Sequence, residues 1–265
     1  MFLETDPDRW IQLERVDSTS SFLQREDHPG GTVVLAREQT AGRGTHGRPW
    51  FALPDRSFIF SALLTGSGTG ARIPLERLVY LPLLVGMGVL EAARSVQDRL
   101  EPGDARRFGI KWPNDVMLDD GSGWKKLAGV LVESEISGDG EYRVVIGVGL
   151  NWFGVPGEVT NDIGMSVSAM PVALFSADPG QSPFTLTASL IERINDYLPD
   201  LLVGGAPSFL DKVRRHCCVS GRMARIDGEV CRVRGIADSG GLLVESPSGQ
   251  VEEVVGRSEP LVIVD

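Results

Sequence analysis

A loop at residues 42–48 concentrates glycine and positive charge in a chain whose formal net charge is -10. Its sequence, GRGTHGR, interleaves three glycines with Arg43 and Arg48. Glycine lets backbone N–H groups approach a ligand closely, and arginine presents a planar, permanently charged fork that suits phosphate or carboxylate. The loop itself leaves two interpretations open, namely an ordinary turn between strands or a segment that folds over an anionic ligand.

Three further polar clusters follow along the chain. KWPND places Lys111, Asn114 and Asp115 around a proline, KKLAG places Lys126 directly before an apolar run, and GVGLN ends at Asn151. Each cluster has an ordinary structural explanation as well: Asn-Asp is common in exposed turns, a lysine often ends a strand in solvent, and glycines within a strand mark a bulge or a close approach. These residue types could equally well bind phosphate or carboxylate groups.

Composition excludes several other classes of protein. The chain has 265 residues, 42% of them hydrophobic, which is enough for one large domain or a large and a small one. The excess of acidic over basic residues argues against a protein that binds nucleic acid without sequence specificity. The sequence contains no GxxxxGK[ST] phosphate loop, and its three histidines are scattered. The cysteines, Cys217, Cys218 and Cys231, show neither a disulfide framework nor metal-ligand spacing, so we predict no metal site.

The longest apolar run, residues 78–93, is interrupted by Pro82, and we interpret it as a buried helix rather than a membrane span. The N-terminal residues lack the apolar stretch of a signal peptide. We therefore expect a cytoplasmic protein without a membrane partner.

Hydrophobic periodicity and turn residues predict an α+β fold. Ser18 or Thr19 is expected to start a helix, because their side-chain oxygens accept from free helix N–H groups. The other predicted helices cover 78–97, 185–202 and 207–217, and the predicted strands cover 32–38, 57–64, 108–119 with a break at Pro113, 125–136 and 142–152. Residues 153–184 are predicted to form a loop. Five short β-rich pieces after Cys217 predict a small β-barrel, which divides the chain into domains 1–217 and 218–265.

Five motifs occur along the chain in the order DSTSSFLQ, QTAGRGTHGRPW, KWPNDVML, KKLAGVLVE and IGVGLN, and a small β-rich domain follows them. This arrangement resembles biotin–protein ligase over nearly the whole chain. The resemblance is to the short form, without an N-terminal DNA-binding domain. It implies a mixed sheet backed by helices and a C-terminal SH3-like barrel. It also implies that biotin reacts with MgATP to give biotinyl-5′-AMP, and that a lysine of a biotin carboxyl carrier domain of a carboxylase then accepts the biotin. No nucleic-acid partner is implied.

The resemblance also assigns site residues by position. Lys126 and Arg43 would be catalytic. The biotin-binding residues would be Ser18, Thr19, Gln39, Gly42, Arg43, Lys126, Gly129 and Gly147. The residues binding ATP and the adenylate would be Arg43, Gly44, Arg48, Trp50, Lys111, Asn114, Asp115 and Asn151. Trp50 would be the aromatic platform for adenine, with a core tryptophan as its alternative interpretation.

Two positions depart from the family pattern. Ser20 stands where the family has asparagine, and Thr45 stands where it usually has arginine. The departure at Thr45 weakens the expected binding of the adenylate by the loop. Two other functions stay open: a lipoate or octanoate ligase or transferase of the same superfamily, and a catalytically weak homologue that only binds.

Overall fold

The computed structural model describes residues 2–66, 72–138, 140–155, 170–226, 228–256 and 261–264. Within them the chain forms a seven-stranded mixed sheet with helices against it, and a separate five-stranded sheet. The predicted α+β class is confirmed.

The larger sheet has the order β1-β2-β3-β7-β6-β5-β4. Its strands are β1 (Ile11–Val16), β2 (Val33–Gln39), β3 (Ser57–Thr65), β4 (Arg107–Lys111), β5 (Asp115–Asp119), β6 (Trp124–Ile136) and β7 (Tyr142–Asn151). The β1–β2 pair is parallel and the other pairs are antiparallel. The predicted break at Pro113 is confirmed, because Pro113 lies in the turn between β4 and β5, after a cis peptide bond from Trp112.

In the described part of the chain, four α-helices accompany the sheets: α1 (Thr19–Arg25), α2 (Leu81–Leu100), α3 (Thr187–Tyr197) and α4 (Phe209–His216). Helix α1 begins as predicted, with the Ser18 hydroxyl accepting a hydrogen bond from the backbone N–H of Ser21 at 3.4 Å. The predicted helix 185–202 is α-helical only in its middle: a 3-10 turn, Pro183–Leu186, precedes α3 and another, Leu198–Leu202, follows it. Pro199 lies within that second turn, where its missing N–H interrupts the α-helical pattern.

Helix α2 begins and ends three residues later than the predicted 78–97, and a 3-10 turn at Leu75–Tyr80 leads directly into it. The joined segment 75–100 is long and apolar enough to cross a membrane by length and composition, but 72% of its most apolar window is buried inside the protein. It is therefore the central helix of the core.

The two faces of the larger sheet have different partners, because successive side chains of a strand point to opposite faces. On one face, Phe58, Phe60, Val130 and Val148 join the main hydrophobic core together with α2 and α3. On the other face, Leu63 and Val145 pack against Leu23 of α1. The candidate site lies on this second face.

The five β-rich pieces after Cys217 are strands, as predicted. They are β8 (Met223–Ile226), β9 (Glu229–Ile236), β10 (Leu242–Glu245), β11 (Val251–Val254) and β12 (Val262–Ile263), in the antiparallel order β11-β10-β9-β8-β12. Among the described residues this sheet is open between β11 and β12, so its closure into a barrel stays a prediction.

The two sheets share one hydrophobic core. The buried indole of Trp112 donates from Nε1 to the carbonyl of Gly240 at 2.9 Å, and the Tyr80 hydroxyl donates to the carbonyl of Asp238 at 2.9 Å. The predicted boundary between residues 217 and 218 lies beside the edge strand β4, where the Cys218 N–H donates to the carbonyl of Ile110. The predicted loop 153–184 falls partly outside the described residues; among those that are described, Val172 is tied to β6, since its N–H donates to the carbonyl of Lys126.

Candidate active site

A cavity lies between the N-terminus of α1, the loop 42–48 and the sheet face that α1 covers. It brings together ten of the predicted site residues: Ser18, Thr19, Gln39, Arg43, Gly44, Trp50, Asn114, Lys126, Gly129 and Gly147. Five others do not line it: Gly42, Arg48, Lys111, Asp115 and Asn151. The ligand roles assigned to all of them stay predictions.

Cross-strand pairing gathers small residues on the floor of the cavity. Gly147 of β7 lies between Ser61 of β3 and Leu131 of β6, and in the next row Gly149 lies beside Gly129. These residues alternate along their strands and so face the same side. Because three of the five have no side chain, Trp50 can pack directly over Gly149 and Gly129, and Ser20 over Gly147.

Hydroxyl and amide groups gather at one end of the cavity. The Gln39 side-chain oxygen accepts from the backbone N–H of Thr19 at 2.9 Å and lies 3.2 Å from the Thr19 hydroxyl. That hydroxyl lies 2.8 Å from Ser61 Oγ, which in turn lies 3.0 Å from Ser20 Oγ. Ser18, Thr19, Ser20 and Ser61 are all buried, so this end can offer shielded hydrogen bonds to a polar ligand.

Gly147 lets Ser20 approach the sheet closely at this end. A Cβ on Gly147 would lie 2.7 Å from Ser20 Oγ, closer than a real contact allows. Gly42 has a similar role in the loop, because a Cβ there would lie 2.4 Å from the carbonyl oxygen of Trp50 and 2.5 Å from Gln39 Nε2. Gly42 therefore lets the loop pack against Gln39, although it does not itself line the cavity.

Trp50 lies across the glycine floor. A Cβ on Gly149 would come within 2.3 Å of Trp50 Nε1, and one on Gly129 within 3.2 Å of the indole ring. The Trp50 indole N–H is buried without a hydrogen-bond partner among the described residues. An unpartnered buried donor costs free energy. Such a donor is therefore more typical of a tryptophan in a ligand site than of one in the core.

Lys126 carries positive charge to the other end of the cavity. Its Nζ lies 2.6 Å from Asp115 Oδ1 and 5.5 Å from the centre of the Trp50 ring. Asp115 can therefore orient the ammonium group, even though it does not line the cavity. Lys111 is buried nearby, and this burial lowers the pKa of its ammonium group while the Asp115 carboxylate opposes the shift.

The two loop arginines are held differently. Arg43 Nη1 donates to Ser21 Oγ at 3.1 Å and to Gln24 Oε1 at 2.8 Å, and its other amino group forms an ion pair with Glu133. Arg48 folds back on its own loop, with Nε 3.2 Å from the Thr45 carbonyl oxygen and Nη2 3.0 Å from Thr45 Oγ1. Arg43 therefore needs to exchange its protein partners for a ligand before it can bind one.

The two predicted asparagines contact the backbone. Asn114 Nδ2 donates to the carbonyl of Val130 at 2.8 Å, and Asn151 Nδ2 donates to the carbonyl of Val172 at 3.1 Å. Asn114 thus fixes the KWPND turn to β6, and Asn151 fixes the end of β7 to the chain near residue 172.

Several cavity residues were not predicted from the sequence, above all Ser61 and Gly149, and Ser20 was predicted only as a departure from a motif. The sequence did contain a signal for Ser61, because it is a polar residue within the apolar run of β3. The structure shows that its side chain is fully buried. The remaining lining comes from Ile59 and Leu131, which share the cavity's face of the sheet, and from the backbone of Phe60, Val130 and Val148, whose side chains lie in the core on the other face. Among the described residues no group of three or more His, Cys, Asp or Glu side chains is placed to hold a metal ion; the predicted lack of a metal site stays a prediction.

Comparisons with known proteins point in one direction. The model of the biotin/lipoate A/B protein ligase family matches residues 12–151. The biotin–[acetyl-CoA-carboxylase] ligase of Paracoccus denitrificans is 38% identical over 147 residues, which cover 54% of this chain and 55% of that protein. The enzyme of the same name from Mycobacterium tuberculosis is 34% identical over 195 residues, 70% of this chain and 65% of that protein.

The similarity to these two relatives therefore spans less than two thirds of their length. Among solved structures, the biotin protein ligase of Aquifex aeolicus in complex with biotin and ATP superimposes with a TM-score of 0.72 at 26% identity, covering 97% of this chain and 99% of that one.

Proposed function

Because the chain belongs to the biotin/lipoate A/B protein ligase family, we propose that it is an ATP-dependent biotin–protein ligase. In the first step a carboxylate oxygen of biotin attacks the α-phosphorus of MgATP, which gives biotinyl-5′-AMP and releases pyrophosphate. In the second step a lysine amine of a biotin carboxyl carrier domain attacks the acyl carbon, forms an amide and releases AMP.

The observation that carries this proposal is the division of the cavity into two chemically different ends. One end holds Thr19, Ser20, Gln39 and Ser61, whose polar groups suit the ureido ring of biotin. The other end holds the Lys126 ammonium group, which suits the carboxylate and the α-phosphate. A lipoyl ring carries no N–H or C=O group, so the buried polar end favours biotin over lipoate.

The charged residues would reduce the repulsion between the two anions that must meet. Lys126, oriented by Asp115, would neutralise the carboxylate and the α-phosphate, and it would stabilise the negative charge that develops during attack. Arg43 would join it after leaving Glu133. Both side chains keep water contact in the absence of ligand, and their effect increases when the loop 42–48 covers the adenylate and excludes water.

The nucleotide would lie toward Trp50, Arg48, Lys111 and Asn151. The Trp50 indole would stack on adenine, and its unpartnered N–H would gain an acceptor from the ligand. Mg²⁺ would enter with the triphosphate as part of the substrate. Asn114 and Asn151 would act mainly by holding the strand ends at the site, through the backbone contacts described above.

The C-terminal sheet would complete the enzyme as an SH3-like barrel, with domain limits at 1–217 and 218–265. A carboxylase carrier domain would be the protein partner, the enzyme would work in the cytoplasm, and no nucleic acid or membrane would be involved. The excess of acidic over basic side chains, 36 against 26, supports the lack of a nucleic-acid partner.

The direct test is mass spectrometry of a biotin carboxyl carrier domain incubated with the protein, MgATP and biotin. We expect one biotinyl group on the carrier lysine, which requires ATP. Parallel incubations with lipoate and with octanoate test the related ligases. If biotin binds but no biotinyl group is transferred under any condition, the protein is a binding homologue and the proposed activity is wrong.

A further inference from the structure

The hydroxyl groups at the polar end of the cavity form a chain whose direction is set by a backbone N–H. The N–H of Thr19 can only donate, so the Gln39 side-chain atom 2.9 Å away must be the oxygen. The Thr19 hydroxyl, 3.2 Å from the same oxygen, then donates to it as well. This uses the one hydroxyl proton of Thr19.

The same direction of hydrogen-bond donation continues through the hydroxyl groups to Ser20. Because the Thr19 proton points at Gln39, the Ser61 hydroxyl must donate across the 2.8 Å contact to Thr19. Ser61 then has lone pairs but no proton for Ser20, so the Ser20 hydroxyl donates to Ser61 across 3.0 Å. The proton of Ser20 therefore points away from the ligand, and its lone pairs face the cavity.

Ser20 and Ser61 are placed for this role by their surroundings. Ser61 is fully buried and Ser20 is 6% exposed, so water cannot easily supply an alternative partner. Gly147 lets Ser20 Oγ pack directly against β7, since a Cβ there would lie only 2.7 Å away, and both residues line the cavity. A ligand atom in the cavity can therefore reach Ser20 Oγ.

We propose that Ser61 is a positioning residue that makes Ser20 a pure hydrogen-bond acceptor, so that the site selects a ligand ring with an N–H donor at Ser20 and rejects one with an oxygen there. The inference rests on the proposed function, in which that donor is a ureido N–H of biotin. It assigns specificity to the position where this chain has serine instead of the family's asparagine, and it assigns a partner, Ser61, that no sequence motif identified.

The test compares biotin with its two cyclic carbamate analogues, in each of which one ureido N–H is replaced by oxygen. Wild-type protein is expected to bind one of the two isomers at least about tenfold more weakly than biotin, because its ring oxygen faces the lone pairs of Ser20. In Ser61→Ala the Ser20 hydroxyl is free to rotate and donate to that oxygen. The preference for biotin over this isomer is then expected to fall about tenfold, through tighter binding of the analogue and weaker binding of biotin.

Tighter binding of the analogue together with weaker binding of biotin would show that Ser61 positions the Ser20 hydroxyl, because a loss of packing would weaken the binding of both ligands. Ser57→Ala is the matched control, since Ser57 is a buried serine of the same strand that accepts from the Leu53 N–H outside the cavity; it should leave the preference unchanged. In Ser20→Ala, adding Ser61→Ala should have no further effect on the preference. Dissociation constants from isothermal titration, with melting temperatures as a folding check, provide the readout.

The outcomes distinguish the positioning role of Ser61 from the proposed ligase function. If Ser61→Ala weakens both ligands equally, or changes neither, the positioning role is wrong while the ligase function stands. If wild-type protein does not bind biotin at all, the proposed function is wrong and the inference fails with it.

Discussion

Thr45 provides a test of how the loop 42–48 retains the reaction intermediate. The change is Thr45→Arg, which introduces the arginine that the resemblance leads us to expect at this position. Thr45 lines the cavity, and its hydroxyl accepts from Arg48 Nη2 at 3.0 Å while its carbonyl accepts from Arg48 Nε at 3.2 Å. The substitution removes the first of these contacts, leaves the second and adds a cation at the edge of the cavity.

The expected size of the effect follows from these contacts. A neutral hydrogen bond contributes about 0.5–1.5 kcal/mol and a charged one about 1.5–3 kcal/mol, so a charged contact to the adenylate phosphate gains on the order of 1 kcal/mol. Repulsion from Arg48 is limited because its side chain is exposed; two like charges about 4 Å apart in water cost about 1 kcal/mol, and the bound phosphate offsets this. We therefore expect biotinyl-AMP to dissociate about fivefold more slowly from Thr45→Arg than from the wild type.

The assay loads each protein with radiolabelled biotin and MgATP and follows release of biotinyl-AMP after dilution into excess unlabelled biotin. Thr45→Val is the matched control, because it keeps the side-chain shape and removes the acceptor for Arg48 without adding charge; its release rate should stay within about twofold of the wild type. If Thr45→Arg releases the intermediate as fast as Thr45→Val or faster, position 45 does not hold the adenylate in this protein.

Three further outcomes are expected. Lys126→Ala should abolish formation of biotinyl-AMP, measured as pyrophosphate release, whereas Lys125→Ala, which removes a neighbouring lysine paired outside the cavity with an aspartate, should retain it; equal activity of the two variants would contradict the role of Lys126. Trp112→Phe should destabilise the protein by about 1–3 kcal/mol in urea titration, because it leaves the buried Gly240 carbonyl, in the turn between β9 and β10, without its donor; an unchanged midpoint would show that this link between the sheets is unimportant. The salt bridge and hydrogen bonds of Asp17 with Arg25 lower the pKa of its carboxyl from 3.8 to about 2, so its contribution to stability is complete above about pH 4 and is lost as the pH falls toward 2. Asp17→Asn should therefore flatten the decline of stability over that interval, and an unaltered decline would refute the linkage.

The elements of the fold were predictable to a large extent because their signals are local. Ser18 starts α1 through a hydroxyl that reaches a backbone N–H three residues on, and Pro113 separates β4 from β5 within one short motif. Strand limits such as those of β7 follow from runs of apolar residues bounded by turn residues. The predicted helix 185–202 was less accurate, because hydrophobic periodicity does not distinguish an α-helix from a 3-10 turn at Pro199.

The site was predictable in its residue types and less so in its geometry. The motifs identified Lys126 and Asp115 separately, but their 2.6 Å contact depends on the pairing of β5 with β6. Arg43 was recognised as an anion-binding residue, yet its ion pair with Glu133 joins residues that are 90 positions apart. No pattern within the loop itself could indicate that partner.

The sequence by itself determined the order of the strands and helices along the chain, the glycine loop and the family to which the motifs belong, since each depends on residues close together in the chain. Only the tertiary structure decided that Ser61 meets Thr19 and Ser20, that Gly147 and Gly149 form a floor beneath Trp50, and which face of the sheet they share. The physical reason is that a strand presents alternate residues to opposite faces, and the register that brings distant strands into line is set by burial of the whole core, including α2, rather than by any one segment.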